Sequence, residues 1–280
     1  MRIALFPNLT KKTSKSLAIG ICEFLQSRKV DVVVQDEGAE EVGAPSYSSV
    51  KPDTIDFAVC MGGDGTILRL IHAHPELKAP ILGINLGNLG FLTDVPIPEI
   101  YPSLQELIDG NFRIQERLMM LGETAEKRCC RAVNELVIHR AKNPSLVGLA
   151  LHVDGAYLNT FEADGLIIAT PTGSTAYSLA AGGPILTPEL DAIVITPICP
   201  HTVSNRPIVL LPQHEIQIQY LSDYDPVEVA FDGISRFSIR TGEMLNIAPA
   251  TERFRLVSLA RHDYFATLRR KLGWKGRLRS

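Results

Sequence analysis

Along the first hundred residues, apolar positions fall into short unbroken runs separated by stretches with helical spacing. Runs at 3–6, 32–34, 55–60 and 81–84 predict buried strands, while 14–28 and 67–73 carry apolar residues every three or four positions. Strand and helix in alternation predict a parallel sheet with helices on its faces. A further helix is predicted over 99–108, opened after Pro98 and closed at Asp109-Gly110. Residues 36–53 contain Gly38, Gly43, Pro45, Pro52 and three serines with little periodicity, and are read as a mobile surface loop and candidate lid.

After about Asn111 the pattern changes. Strand-like runs at 130–139, 146–153, 156–160, 165–170, 208–210, 215–221, 227–231, 237–240 and 253–258 follow one another across turns, which predicts a mainly antiparallel β domain. Residues 263–272 have a helical pattern rich in Arg and Lys. The expected organisation is an α/β domain over 1–110 and a β-rich domain over 111–258. A C-terminal helix within 259–280 is expected to return to the first domain.

Composition narrows the class. With 280 residues, 45% hydrophobic and 21% charged, the chain is long enough for two packed cores. A net charge of -3 argues against a strongly basic nucleic-acid binder. No apolar run reaches the roughly 18 to 20 residues that span a bilayer, and the run from Met1 to Phe6 breaks at Pro7, too short for a signal-peptide core. A cytoplasmic protein without membrane partners is expected. The five cysteines, Cys22, Cys60, Cys129, Cys130 and Cys199, lack Cys-x-x-Cys spacing and are read as reduced core residues. Nothing offers the clustered ligands of a structural zinc.

Candidate chemistry begins at Gly62-Gly63-Asp64-Gly65-Thr66, placed between a predicted strand and a predicted helix. Such a turn aims free backbone N–H groups and the positive helix end at one point, which suits an anion. Glycines let phosphates approach the backbone and permit positive φ. An acid inside a phosphate cradle fits two roles, accepting the proton of an attacking hydroxyl or holding Mg²⁺ through water. The competing reading is that Asp64 caps the helix and the glycines make a tight turn. Neither a Walker A nor a dinucleotide fingerprint matches.

Asn85-Leu86-Gly87-Asn88-Leu89-Gly90-Phe91-Leu92 repeats the strand-then-glycine logic, and Phe91 offers either a stacking face or a core aromatic. Asn134-Glu135 lies inside the strand-like run 130–139. An amide can read an adenine edge and a carboxylate can accept from a ribose diol, although such a pair at a strand edge is more often merely solvated. The stretch from Asp164-Gly165 through Thr170-Pro171-Thr172-Gly173-Ser174-Thr175-Ala176-Tyr177 to Gly182-Gly183-Pro184 reads as a buried strand opening into a hydroxyl-rich turn and a short helix from about Ser174. A capped helix after a Pro-Thr-Gly turn is the alternative.

Gly-Gly-Asp-Gly-Thr is shared by NAD kinases, diacylglycerol and sphingosine kinases and, more loosely, phosphofructokinases. The order of all four segments resembles the NAD kinase family. So do Pro197-Ile198-Cys199-Pro200-His201-Thr202-Val203-Ser204-Asn205-Arg206-Pro207 and the closing Tyr264-Phe265 to Leu272-Gly273-Trp274.

That resemblance implies an enzyme that phosphorylates the adenosine 2′-hydroxyl of NAD to make NADP. ATP or polyphosphate would be the donor, with Mg²⁺ held mainly by donor phosphates rather than by a protein metal site. It implies Asp64 as catalytic base, Gly65 against the substrate, Asn134 and Glu135 on adenosine and Asp164 on the nicotinamide side. Thr175, Ala176 and Tyr177 would line the nucleotide pocket, with Ser178, Leu179 and Ala180 continuing its helix. Arg69 is a candidate phosphate contact or an exposed helix residue, and Phe91 joins the binding set. Ala180 stands where many relatives have serine, and Ile234 where some have a polar residue. A homodimer or homotetramer is implied, and a lipid or sugar kinase sharing the first turn is the alternative.

Overall fold

The computed structural model describes residues 1–261, 263–274 and 276. Its strands in chain order are β1 (Arg2–Pro7), β2 (Asp31–Val34), β3 (Phe57–Gly62), β4 (Ile81–Asn85), β5 (Val95–Pro96), β6 (Phe112–Arg117), β7 (Met120–Thr124), β8 (Cys129–Ala132), β9 (Glu135–His139) and β10 (Val147–Val153). They continue as β11 (Ala156–Ala163), β12 (Gly165–Ala169), β13 (Ile193–Ile198), β14 (Ile208–Leu210), β15 (Ile216–Tyr220), β16 (Val227–Phe231), β17 (Ser235–Ile239), β18 (Met244–Pro249) and β19 (Phe254–Leu259). The helices are α1 (Lys12–Ser27), α2 (Ala39–Val42), α3 (Asp64–Ala73), α4 (Ile100–Ile108), α5 (Tyr177–Ala180) and α6 (Tyr264–Leu272). Contacts divide the chain into two units, residues 1–115 with the described residues from 255 onward, and residues 116–254.

The first unit is built on a sheet of order β2-β1-β3-β4-β19-β6, with β5 beside β4. Pairings β1–β2, β1–β3, β3–β4, β4–β5 and β4–β19 are parallel. Parallel strands covered by helices are buried on both faces, which is why they read as unbroken apolar runs. Helix residues Ile21, Leu25, Leu104 and Leu107 pack with Val59, Leu82 and Val257 in one core. Asp263 caps α6, its carboxylate accepting from the Phe265 amide at 2.9 Å, and Gly273 closes the helix at φ 65°. Within the expected C-terminal helix region, His262, Lys275 and residues 277–280 lie outside the described residues.

Residues 36–53 are not the irregular loop that their lack of periodicity suggested. The segment is a succession of short helical turns, including α2, with a parallel bridge from Val34 to Ser46. Its Tyr47 is buried, with ring centroids 5.3 Å from Phe6 and 4.9 Å from His74. Glycine, proline and serine broke the periodicity, and the packing of Val42 and Tyr47 orders the segment regardless.

The second unit holds two antiparallel sheets, of order β11-β10-β15-β18-β7-β8 and β14-β13-β12-β9-β16-β17. Alternation sends Ile216, Ile218 and Tyr220 inward to meet Leu136, Ile138, Leu166 and Ile168. The other face of β12 is also covered, with Ile167 and Ala169 packing on Val137, Leu186 and Val194.

Three readings of the sequence are corrected here. The run 130–139 is two strands in different sheets, β8 and β9, broken at Val133-Asn134. The run 253–258 does not continue the antiparallel sheets of the second unit, since β19 joins the first sheet and pairs parallel to β4 with Leu256 opposite Ile81. Of the cysteines, all free, only Cys22 and Cys60 are buried, Cys130 is half-buried, and Cys129 and Cys199 are exposed.

If 36–53 is packed as described, Tyr47→Ala should lower unfolding free energy by about 3 kcal/mol or more, as for other buried aromatics. Urea denaturation checks this, and a loss under about 0.5 kcal/mol, the scale of an exposed loop position, would restore the mobile reading.

Candidate active site

β3 ends at Gly62 and α3 opens at Asp64, so the glycine turn sits where the first two helical amides, of Asp64 and Gly65, have no intrahelical acceptor. Positive φ is not what requires glycine here, since none of Gly62, Gly63 and Gly65 adopts it. Close approach is the requirement: a Cβ on Gly62 would lie 2.2 Å from Thr66 Oγ1. That hydroxyl in turn accepts from the Gly63 amide at 3.3 Å.

The half-buried Asp64 carboxylate is bound by the second glycine segment. Oδ2 accepts from the Phe91 amide at 2.8 Å, while Oδ1 accepts from the Leu92 amide at 3.0 Å, the Thr93 amide at 2.9 Å and the Thr93 hydroxyl at 3.0 Å. Gly90 is obligatory, because a Cβ there would come within 1.9 Å of Asp64 Oδ1. Buried Asn85 completes the loop, accepting from the Gly87 amide at 2.7 Å and donating to the Asn88 carbonyl at 2.6 Å. The Leu86 amide donates to the Gly62 carbonyl at 2.8 Å, so the two turns form one hydrogen-bonded body. A carboxylate offers about four lone-pair positions, two per oxygen, so Oδ2, with one donor, retains one for a further donor.

Other predicted residues of this unit differ in setting. Gly65 is exposed. Arg69 is exposed on α3, its Nη2 donating to Thr66 Oγ1 at 3.3 Å. It borders a cavity of about 460 Å³ whose walls include Asn8, Thr10, Tyr47, Thr66 and His74. Those walls were missed from sequence, although Asn8-Leu9-Thr10 also follows a strand and opens toward a helix. Phe91 packs within its own unit, its ring centroid 6.0 Å from Tyr264 with Lys271 Nζ 5.3 Å above it.

In the second unit the break between β8 and β9 carries Asn134-Glu135. Thr170 grips it, its hydroxyl donating to the Val133 carbonyl at 2.6 Å and its amide to the Asn134 carbonyl at 2.9 Å. Gly173 lies against the same backbone, where a Cβ would meet the Asn134 carbonyl oxygen at 2.1 Å. Thr175 bonds back to the Thr172 carbonyl at 3.2 Å. The buried Ser178 hydroxyl pairs with Thr196 Oγ1 at 2.9 Å, so it serves the loop's own packing. Ala176 and Leu179 are half-buried, and Tyr177 and Ala180 are exposed. Asn134, Glu135 and residues 170–177 are thus brought together. Asp164 is not among them: it precedes the opposite end of β12 and pairs with Arg140 Nε at 2.8 Å. Six residue steps along the strand separate Asp164 from Thr170, roughly 20 Å at about 3.4 Å per residue.

Glu135 is 9% exposed, and its Oε2 has no hydrogen-bond partner among the described residues. Burial, reinforced by the Asp232 carboxylate, pushes its carboxyl up to about 8, against an opposing hydrogen bond from the Tyr177 amide.

Among the described residues no group of three or more His, Cys, Asp or Glu is placed to hold a metal. Asp64 has most of its lone pairs occupied, so the residues do not fit a resident divalent cation.

Comparison with known proteins decides the family. Residues 3–112 match the ATP-NAD kinase N-terminal domain and residues 133–259 the ATP-NAD kinase C-terminal domain. The chain belongs to the NAD kinase family. A curated NAD kinase of Protochlamydia amoebophila is 59% identical over 277 residues, covering 99% of both chains. An NAD kinase of Geobacter metallireducens is 39% identical over 98% of both. Among solved structures, yeast NADH kinase complexed with NADH aligns with TM-score 0.85 at 28% identity, over 100% of this chain and 89% of that one. An Archaeoglobus fulgidus NAD kinase in complex with ATP aligns with TM-score 0.76 at 28% identity, over 99% of this chain and 100% of that one. The α/β plus antiparallel β architecture is that of NAD kinases, and no helix of the described residues is long and apolar enough to cross a membrane.

Glu135 gives this site a pH signature. Its folded value of about 8 exceeds the ordinary 4.5, so the folded state holds the proton more tightly. The associated stability is complete below about 4.5 and is lost as pH rises through about 8. Melting temperatures of the unliganded protein should therefore fall between pH 5 and 9, and Glu135→Gln should flatten that decline. Parallel curves for the two proteins would contradict the assignment.

Proposed function

We propose that this NAD kinase family member transfers the γ-phosphoryl group of ATP to the 2′-hydroxyl of the adenosine ribose of NAD, making NADP. The observation that carries the reading is the Asp64 carboxylate, immobilised at the start of α3 by four donors with a lone pair remaining on Oδ2. In the step, the ribose oxygen bonds to the γ-phosphorus and the bond from that phosphorus to the β,γ-bridging oxygen breaks. ADP departs, and the hydroxyl proton passes to Asp64 and then to water. The Asp64 and Gly65 amides, the positive end of α3 and the Arg69 guanidinium supply the electrostatic setting for the transferred group. Positioning accounts for most of the acceleration, because phosphoryl transfer asks little covalent chemistry of the protein.

On the acceptor side, the Asn134 amide reads the adenine edge and the partnerless Oε2 of Glu135 accepts from a ribose hydroxyl. Thr175, Ala176 and Tyr177 line the nucleotide pocket, with Ser178, Leu179 and Ala180 shaping its helix. Asp164, at the far end of β12, suits the nicotinamide half of an extended dinucleotide. The cavity beside Arg69 suits the donor, whose Mg²⁺ travels with its phosphates. ATP is supported by the archaeal relative's complex with ATP, and the yeast relative's complex with NADH makes NADH a second acceptor worth assaying. A cytoplasmic location and a homodimer or homotetramer rest on the family resemblance. A lipid or sugar kinase is not favoured, since the match to NAD kinases extends over both units rather than the first turn alone.

The test is direct. Purified protein with Mg²⁺ and NAD should yield NADP from ATP or polyphosphate, with no labelled product from diacylglycerol or fructose phosphate. No NADP with any donor overturns the reading. Asp64→Asn should retain NAD binding while kcat falls about 10²-fold or more, the usual scale of a general base. Turnover near wild type would refute the role of Asp64.

A further inference from the structure

The turn between β16 and β17 contributes no residue to the chemistry above, yet it is tied to the acceptor site. Asp232 and Gly233 have φ of 52° and 66°, and the Ile234 amide donates to the Phe231 carbonyl at 2.9 Å. That is the Asp-Gly hairpin loop whose twist suits antiparallel strands. Such a loop requires only that its central residues tolerate positive φ. The Asp232 carboxylate nonetheless reaches the break before β9. Oδ2 accepts from the Val133 amide at 2.8 Å, and Oδ1 accepts from the amides of Asn134 at 2.8 Å and Glu135 at 3.1 Å.

The clasp is reciprocal. The Asp232 amide donates to the Glu135 carbonyl at 3.0 Å, while Thr170 binds the carbonyls of Val133 and Asn134 from the other side. Three successive amides and three successive carbonyls are therefore all occupied. Three amides converging on one point form a nest, which a carboxylate fills with charge-assisted hydrogen bonds. With the backbone so fixed, the side chains of Asn134 and Glu135 have their origins and directions set.

We infer that Asp232 is the positioning residue of the acceptor site, gathering the Val133, Asn134 and Glu135 amides so that the side chains of Asn134 and Glu135 meet the adenosine of NAD. The inference rests on the reading of that pair as the adenosine contacts. Asp232 does not touch the reacting atoms; it acts through the two residues that recognise the substrate. Its charge also faces Glu135, adding to the effect of burial and opposed by the Tyr177 amide on α5. Removing that charge should lower the pH at which Glu135 ionises and leave any purely structural duty unaffected in that respect.

Two variants keep the test interpretable. Asp232→Asn tolerates the left-handed conformation and keeps one acceptor oxygen, and Asp232→Gly keeps the turn with no acceptor at all. KM for NAD should rise about tenfold or more in Asn and further in Gly, the scale of unsatisfied amides, while KM for ATP moves less than about twofold. The pH midpoint of NAD binding, followed by calorimetry from pH 6 to 9, should move downward in both. Wild-type KM for NAD in both folded variants overturns the inference. So does a lowered melting temperature with equal loss of NAD and ATP binding and an unmoved midpoint. Glu135→Gln separates the two levels of argument: if it binds NAD as wild type does, the adenosine reading itself fails and the positioning role fails with it. If Glu135→Gln is impaired and both Asp232 variants are not, only the positioning role is lost.

Discussion

Four donors on one carboxylate hold the two glycine turns of the first unit together. Asp64 takes the amides of Phe91, Leu92 and Thr93 and the Thr93 hydroxyl, all 27 to 29 residues away in sequence. Without that contact the turns after β3 and β4 would be independent loops at neighbouring strand ends. With it, the second loop is drawn so close that only glycine fits at position 90, and Asn85 and Thr93 are buried with their polar atoms satisfied. Groups so fixed need little reorganisation when charge develops, which is the physical basis of preorganised catalysis. Under the proposed reading a structural and a chemical duty reside in one side chain, since fixing the loop also aims the spare lone pair.

The second unit meets a different constraint. Its β12 is buried on both faces, so the candidate residues do not lie along the strand and fall at its ends. Thr170 and the turn after it leave one end, and Asp164 precedes the other. Candidates on irregular segments carried by a rigid sandwich follow the usual division of labour between scaffold and loop.

Period and punctuation in the sequence were enough for the succession of parallel α/β and antiparallel β, because helical spacing separates the strands of the first half while mostly turns separate those of the second. Local pattern could not show where a strand's partner lies. Residues 253–258 read like their predecessors yet pair parallel to β4 in the first sheet, since pairing direction leaves no local trace. The break at Val133-Asn134 was hidden because apolar residues continue through it from Cys130 to His139. β7 escaped notice because Gly122 interrupts it, and the reason for that glycine, a Leu136 Cδ1 that would lie 2.6 Å from its Cβ, is tertiary. β13 was obscured by Pro197. Among site residues, motifs pointed to Asp64 and to the Asn134-Glu135 pair, but the four donors on Asp64 and the reach of Asp232 across 97 to 99 residues exist only in the fold.

Asp64 and Asp232 use the same device, a short acidic side chain whose two oxygens collect successive backbone amides. Aspartate suits it because few rotatable bonds separate the carboxylate from the backbone that positions it, so little side-chain entropy is lost. Glu135 is the opposite case. It is as buried as a core residue, but Oε2 lacks a partner, and a polar group in that condition raises the free energy of the unliganded protein by about 1 to 3 kcal/mol. A hydroxyl that donates to Oε2 removes that penalty and so binds more tightly than it would to a carboxylate already satisfied. The deficit is useful only if Glu135 is held in place, and its segment is fixed by Asp232, which binds the three amides, and by Thr170, which binds the Val133 and Asn134 carbonyls. A satisfied aspartate, Asp232, beside an unsatisfied glutamate, Glu135, therefore forms one arrangement, in which rigidity of the first would make the second selective for a ligand that brings the missing donor.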